Sequence, residues 1–159
     1  MPGGCTTEHV WQITHREQTD QLTVLLNGVR LPRPMQIEYP RVPIDIVKMW
    51  QSIDELLVAE HAGRVCGFLD VKAEPGHDLV AVKNLIVAEE MRRRGIGTAL
   101  IGGANQWAHD HGHRLLMVEA QSQNWPAISF YRKLGFTFSG YNDRYYTNQI
   151  ALFFTRAVV

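Results

Sequence analysis

The sequence has little cysteine, no excess charge of either sign and no long apolar run, and each shortage closes off a class of protein. Two cysteines, Cys5 and Cys66, are too few for a disulfide framework. Cys66 lies inside an apolar run and reads as a small core residue; Cys5 reads as part of a mobile start. Sixteen basic residues against sixteen acidic ones give a formal net charge of zero, which argues against a protein-wide attraction to nucleic acid or anionic lipid. No apolar stretch approaches the ~20 residues that cross a bilayer. Met1 to Thr7 carries no basic segment followed by an apolar one, so a cytoplasmic location is the default expectation. Internal repeats and low-complexity tracts are also missing. The 45% hydrophobic and 20% charged composition over 159 residues fits one domain, 1–159, long enough to bury about two thirds of its unfolded surface.

Taken in order, Val10 to Thr14 alternates around Trp11 and Ile13 as a strand would. Leu22, Leu25, Leu26 and Val29 recur at helical spacing, so a helix is expected from about Thr19 to Arg30, stopped by Pro32 and Pro34. Leu31 to Asp54 loses its pattern, with a short helix suggested at Ile46 to Gln51. Its aromatics and carboxylates (Glu38, Tyr39, Asp45, Trp50) suit either a substrate-holding loop or a connector that packs down. Leu56 to His61 and Val65 to Ala73 form a hairpin around Ala62-Gly63. A turn at Glu74 to Asp78 leads to a third strand, Leu79 to Ala88.

The stretch Arg92-Arg93-Arg94-Gly95-Ile96-Gly97-Thr98-Ala99 then joins that strand to a long helix whose expected buried face is Ile96, Ala99, Leu100, Gly103, Ala104, Trp107 and Ala108. Glycines here permit a sharp bend with exposed amide N–H groups, and the helix dipole adds positive potential. Three arginines at a helix N-terminus are disfavoured by ~0.3–1 kcal/mol each, unless an anion arrives to reverse the sign. A dinucleotide fingerprint fails at Leu100, and no Gly-Lys-Ser/Thr makes a P-loop. A pyrophosphate cradle is what remains. Leu115 to Val118 reads as an interior parallel strand. Asn124-Trp125-Pro126 opens a further helix, Gly135 ends it, and Phe136 to Tyr141 and Ile150 to Thr155 close the sheet. The architecture is α/β, with a sheet antiparallel at first and parallel where the two later helices cross over. His109, His111 and His113 complement the negative end of the long helix and are spread around it, so no metal is expected.

Two motifs now stand in register. Arg92, Gly95 and Gly97 meet the signature Q/R-x-x-G-x-G/A; Asn124, Ala127, Tyr131, Gly135 and Phe136 meet a second, an asparagine followed by a helix that ends in tyrosine and then Gly-Phe. In these the chain resembles the GNAT (Gcn5-related) N-acetyltransferases from about Leu56 onward, with the N-terminal third as a variable acceptor-binding region. Val118-Glu119-Ala120-Gln121 and the tail Tyr141 to Arg156 most resemble the streptothricin acetyltransferases. The resemblance implies a GNAT fold with antiparallel N-terminal strands, a central parallel pair and helices on both faces. It also implies acetyl-CoA as co-substrate and a primary amine of a small molecule or protein as acceptor. Amides of Arg93, Arg94, Gly95, Ile96, Gly97 and Thr98 would hold the pyrophosphate, with Arg92 and Arg94 flanking it. Main-chain groups of Leu85, Ile86 and Val87 would meet the pantetheine arm and thioester, Asn124 would contact the CoA arm, and Tyr131 would act as general acid.

A lysine-like ammonium must lose its proton before attack, at a cost of about 4–5 kcal/mol at neutral pH. Streptothricin-like enzymes carry glutamates on the strand before the turn, where this chain has Lys83 and Ile86. Glu119 is the first candidate base, with Glu38 behind it; the plain alternative for Glu119 is a strand-end charge. The missing acids motivate a rival reading, a CoA-binding regulatory module without catalysis. Nucleic acid and membrane are not expected as partners, and a homodimer is left open.

Overall fold

The computed structural model describes residues 4–159; the reading of Met1 to Thr7 falls in part on residues 1–3, outside them. The elements follow in the order β1 (Cys5–Glu17), β2 (Leu22–Ile37), α1 (Pro43–Met49), β3 (Glu55–His61), β4 (Arg64–Ala73), β5 (Leu79–Val87), α2 (Ile96–Asp110), β6 (Leu115–Gln121), α3 (Trp125–Lys133), β7 (Thr137–Asn142) and β8 (Ala151–Ala157). None of the described helices is long and apolar enough to cross a membrane.

The N-terminal end departs furthest from the sequence reading. Where a helix is expected over Thr19 to Arg30, Leu22–Ile37 is a strand paired antiparallel with β1. Thr23, Val24, Asn27, Gly28 and Val29 are all weak helix formers, and the strand gives them partners that a helix would not. Leu26 packs with Trp11 and Ile13 against the core. Gly28 lies so close to the Trp125 ring that a Cβ there would come within 2.8 Å of it. Pro32 and Pro34 fall opposite Glu8, where the register jumps from His9↔Arg30 to Thr7↔Met35, so their missing N–H groups break no ladder bond. Cys5 is not a mobile residue. It opens β1, and its Sγ donates to Asn124 Oδ1 at 3.4 Å.

From β3 onward the elements follow the expected order. A six-stranded sheet has the order β3-β4-β5-β6-β8-β7, with β5 and β6 parallel and every other pair antiparallel. The crossover through α3 does not give a second parallel pair, because β8 inserts between β6 and β7. Ala62 (φ 49°) and Gly63 (φ 73°) make the tight β3–β4 turn. Leu100, Ile101 and Ala104 of α2 and Ile128 and Tyr131 of α3 join Val80, Val82, Leu116, Val118 and Leu152 in one core. The buried stripe of α2 is rotated from the expected one: Ala99 is exposed, while Ile101 and Asn105 are buried. Asn105 earns its place by bonding Val159 O (2.6 Å) and receiving Arg156 Nη2 (3.2 Å). Trp50, just past α1, donates to Asp70 on β4. Alternation puts Asp70 on the opposite face from its core neighbours Leu69 and Val71, so helices lie on both faces.

One irregularity shapes the sheet. On β4, Val71 stands opposite Val82 and Asp70 opposite Asn84, so Lys83 is an extra residue, a β-bulge in β5. Pairing between β5 and β6 stops at Val82↔Val118, although β5 continues to Val87 and β6 to Gln121. Each stays paired on its outer side, to β4 and to β8. The two central strands therefore part beyond the bulge.

Gly28→Val should force the Trp125 ring from its stack on Trp11. Overpacking of this kind costs about 1–3 kcal/mol, and each kcal/mol lowers Tm by about 2–4 °C at this size. Calorimetry that found Tm unchanged would show that the hairpin does not depend on this contact.

Candidate active site

The parted strands open toward the N-terminus of α2. Arg93 (φ 63°) and Gly95 (φ 83°) are both left-handed, a sequence of backbone turns that aims N–H groups into one concavity. The helical ladder begins with Ala99 N donating to Gly95 O at 2.9 Å, so the N–H groups of Ile96, Gly97 and Thr98 precede it. No side chain caps this end, and no acid stands in the first turn. That arrangement suits an anion. Gly97 is helical rather than a bend; its smallness serves close packing, because a Cβ would sit 3.1 Å from the Phe130 ring of α3. Arg93 and Arg94 are exposed. Arg92 instead turns back, its Nε donating to Val87 O (3.1 Å) and its Nη1 to Gly4 O (2.9 Å).

Of Leu85, Ile86 and Val87, two face the gap. Ala88 N donates to Cys66 O across β4 (2.8 Å), and alternation then turns Ile86 toward β4 and Leu85 and Val87 toward β6. Asn124 caps α3: its Oδ1 accepts from Ala127 N at 3.1 Å. Tyr131 lies inward from α3, 7% exposed, beside Phe130 and Phe136. Burial first, then the nearby Tyr39 and Glu119, push its hydroxyl well above the ordinary tyrosine value.

Glu119 is the first β6 residue beyond the last parallel pair. Its carboxylate is 9% exposed; it forms an ion pair with Arg41 and accepts from the Tyr146 hydroxyl at 3.0 Å. It is therefore no loose strand-end charge. Glu38, the second choice from sequence, is exposed. Lys83 pairs with Glu74 at 2.8 Å, so a carboxylate reaches the bulge from the β4–β5 turn. Glu119, Lys83 and Glu74 border an open pocket of about 360 Å³ lined also by Met117, Tyr145 and Phe153.

Several members of this cluster lie outside the residues picked from sequence. Arg41, Asp70, Asn84 and Tyr146 carry no local pattern that marks them, because each becomes informative only through a partner distant in the chain. Tyr39 and Trp50 stand out in sequence only as aromatics of a patternless segment; Tyr39 enters the site, and Trp50 supports Asp70 from behind as a hydrogen-bond donor. Asp70 is fully buried, with its oxygens accepting from Asn84 Nδ2 (3.1 and 2.9 Å) and Trp50 Nε1 (3.0 Å). Burial raises its pKa, and the Asn84 and Trp50 hydrogen bonds oppose the rise. Of the histidines at the α2 end, His111 and His113 stack on Trp107, and His109 is exposed with its Nδ1 3.3 Å from Asp110 Oδ1. Among the described residues no group of three or more His, Cys, Asp or Glu comes together as metal ligands.

Residues 52–138 match the sequence profile of the acetyltransferase (GNAT) domain. The chain belongs to the GNAT family. This GNAT chain is 34% identical over 86 residues to a mycothiol acetyltransferase of Arthrobacter sp. (strain FB24), across 52% of its own length and 27% of that relative's. It is 32% identical over 84 residues to the streptothricin acetyltransferase of Streptomyces lavendulae, across 53% of its length and 44% of that relative's. The matched stretches thus span less than half of either curated relative. The crystal structure of nourseothricin acetyltransferase superposes with a TM-score of 0.83 at 28% identity, covering 100% of this chain and 89% of that one. The GNAT fold and the streptothricin-like character expected from the sequence are both borne out.

Three tyrosines of the site, Tyr39, Tyr131 and Tyr146, are held protonated, chiefly by burial; Tyr39 is pushed up to about 12. Unfolded tyrosines ionise near pH 10. With folded values above unfolded ones, this contribution to stability is complete below about pH 10 and is lost as pH rises toward the folded values. A 295 nm titration should show these phenolates appearing together with unfolding. Phenolates of Tyr39, Tyr131 and Tyr146 forming near pH 10 in a folded protein would contradict the buried site.

Proposed function

We propose that the chain acts as one catalytic domain, an acetyl-CoA-dependent N-acetyltransferase that passes the acetyl group directly to a primary amine. The observation that carries the reading is the position of the gap between β5 and β6. It has an uncapped helix N-terminus at one end, a buried tyrosine from α3 beside it and a paired carboxylate on the strand that lines it. Amides of Arg93 to Thr98 would receive the pyrophosphate, and Leu85 and Val87 would offer main-chain groups to the pantetheine arm. Arg92, committed to Val87 O and Gly4 O, would brace the gap rather than grip phosphate.

Acetyl-CoA would supply the activated acetyl thioester. Glu119 would take the proton that the amine loses as its nitrogen bonds to the acetyl carbon. Tyr131, protonated at neutral pH, would give its proton to the departing sulfur as the C–S bond breaks. Holding the two reactants in attack geometry is worth ~7–11 kcal/mol, and each proton transfer adds a factor of roughly 10² to 10⁴. The likeness to streptothricin acetyltransferases supports a small-molecule acceptor bearing an amine, and the pocket beside Glu119 is where it would enter. A protein amine is the alternative acceptor.

Tyr131→Phe should lower kcat about 10²-fold or more while the KM for acetyl-CoA changes less than about two-fold. Steady-state kinetics over a pH series checks this, and full turnover by the Phe variant would remove Tyr131 as the acid. Saturable acetyl-CoA binding with no product on any amine would favour the rival reading, a binding module without catalysis.

A further inference from the structure

A line of polar contacts runs between the two buried carboxylates of the site, hydrogen-bonded from Asp70 to Tyr39 and from Arg41 to Glu119. Asp70 accepts from the Asn84 amide, whose Nδ2 lies 3.1 and 2.9 Å from its oxygens. That fixes the amide so that Asn84 Oδ1 faces the other way, where it accepts from the Tyr39 hydroxyl at 2.9 Å. With its proton committed, the Tyr39 oxygen can only accept, and it stands beside the Arg41 guanidinium, whose positive charge lowers the Tyr39 pKa against the rise from burial. Arg41 in turn donates to Glu119. The hydrogen bonds from Tyr39 to Asn84 and from Asn84 to Asp70 have one direction because Asp70, at the end, is an acceptor-only group when ionised. The chain starts on β4, crosses β5 next to the bulge, passes through the segment after β2 and ends on β6, so it spans the gap where the strands part.

Asp70 is a poor choice for stability alone. It is fully buried and its direct partners, Asn84 and Trp50, are neutral, and burying a carboxylate without a cation of its own is costly. A polar or apolar residue would fill the position at less expense. We infer that Asp70 is a positioning residue for acetyl transfer, which acts through Asn84 and Tyr39 to fix the Arg41 guanidinium and, through it, the Glu119 carboxylate. Arg41 has Tyr39 on one side and Glu119 on the other, so loss of the Tyr39 contact frees the guanidinium to pull Glu119 out of line. The groups that face Glu119 are Arg41, Tyr146, Tyr145 and Tyr131, with the Lys83–Glu74 pair across the pocket; among these Arg41 alone is tied to Asp70 through Tyr39. The inference rests on the acetyltransferase reading above.

The test is a double-mutant cycle on the full chain, with streptothricin, spermidine and L-lysine as amines and the best of the three used throughout. Asp70→Asn and Tyr39→Phe should each lower kcat roughly 10- to 100-fold, the scale expected when a reacting group is misplaced by about an ångström, with the KM for acetyl-CoA within two-fold of the parent. The double variant should match the worse single variant within two-fold, because both cut the same chain. Trp50→Phe, which removes a donor to Asp70 without touching the chain, should keep kcat within three-fold. Effects that multiply in the double variant, a single-variant loss below two-fold, or a Trp50→Phe loss equal to that of Asp70→Asn would overturn the positioning role. Those outcomes leave the acetyltransferase reading intact. If the parent binds acetyl-CoA in calorimetry and acetylates none of the amines, the acetyltransferase reading fails and this inference falls with it.

Discussion

One extra residue in β5 governs the centre of the molecule. With Lys83 bulged out of register, β5 and β6 cannot keep pairing past Val82 and Val118, and each strand remains held only by its outer neighbour. The sheet is thereby split into β3-β4-β5 and β6-β8-β7, joined by a short parallel zone. Main-chain groups of Leu85 and Val87 that a regular sheet would satisfy are left facing the gap. Arg92 meets the Val87 carbonyl, so the opening is braced by a side chain from outside the sheet. The N-terminus of α2 lies directly after the end of the same strand, which places an uncapped set of N–H groups beside the opening.

The charges on the acceptor side are arranged with equal economy. Arg41 is shared between a carboxylate it touches, Glu119, and an acidic chain that reaches it through Tyr39. Removing either member of the nearly buried Arg41–Glu119 pair would strand a charge at a cost of about 3–5 kcal/mol, although the intact pair itself need not stabilise the fold. Tyrosines surround the cluster and, being kept protonated by burial, act as hydroxyl donors and acceptors without adding charge. Lys83 answers Glu74 in the same way. β5 itself carries no carboxylate, and those beside it stand on its neighbours, Asp70 on β4, Glu119 on β6 and Glu74 in the turn.

The donor side was legible in sequence because its chemistry is local. A glycine-rich turn, an uncapped first turn, an asparagine cap and a tyrosine four residues before a glycine stop each leave a mark within a few positions, and the order from β3 to β8 follows from alternation and turn residues. In the first third the strand around Trp11 and Ile13 is legible, but the leucines after it fall at helical spacing, and only pairing with β1 and contact with Trp125 reveal a second strand. The acceptor side was hidden for a related reason. Asp70 and Asn84 meet across two strands, Arg41 reaches Glu119 over a separation of 78 residues, and no window of the sequence holds both ends of either contact. The bulge is equally silent, since Lys83 has no composition that sets it apart from a regular strand residue.

The central claim is that the parted strands and the start of α2 together hold acetyl-CoA. Hydrogen exchange measured with and without acetyl-CoA tests it most directly. The amides of Gly95 to Thr98 lack ladder partners in the fold, and they should exchange fast in the free protein and slow by at least tenfold on binding, together with Val87. Saturable acetyl-CoA binding that leaves those amides unprotected, or that protects a different surface, would contradict the account.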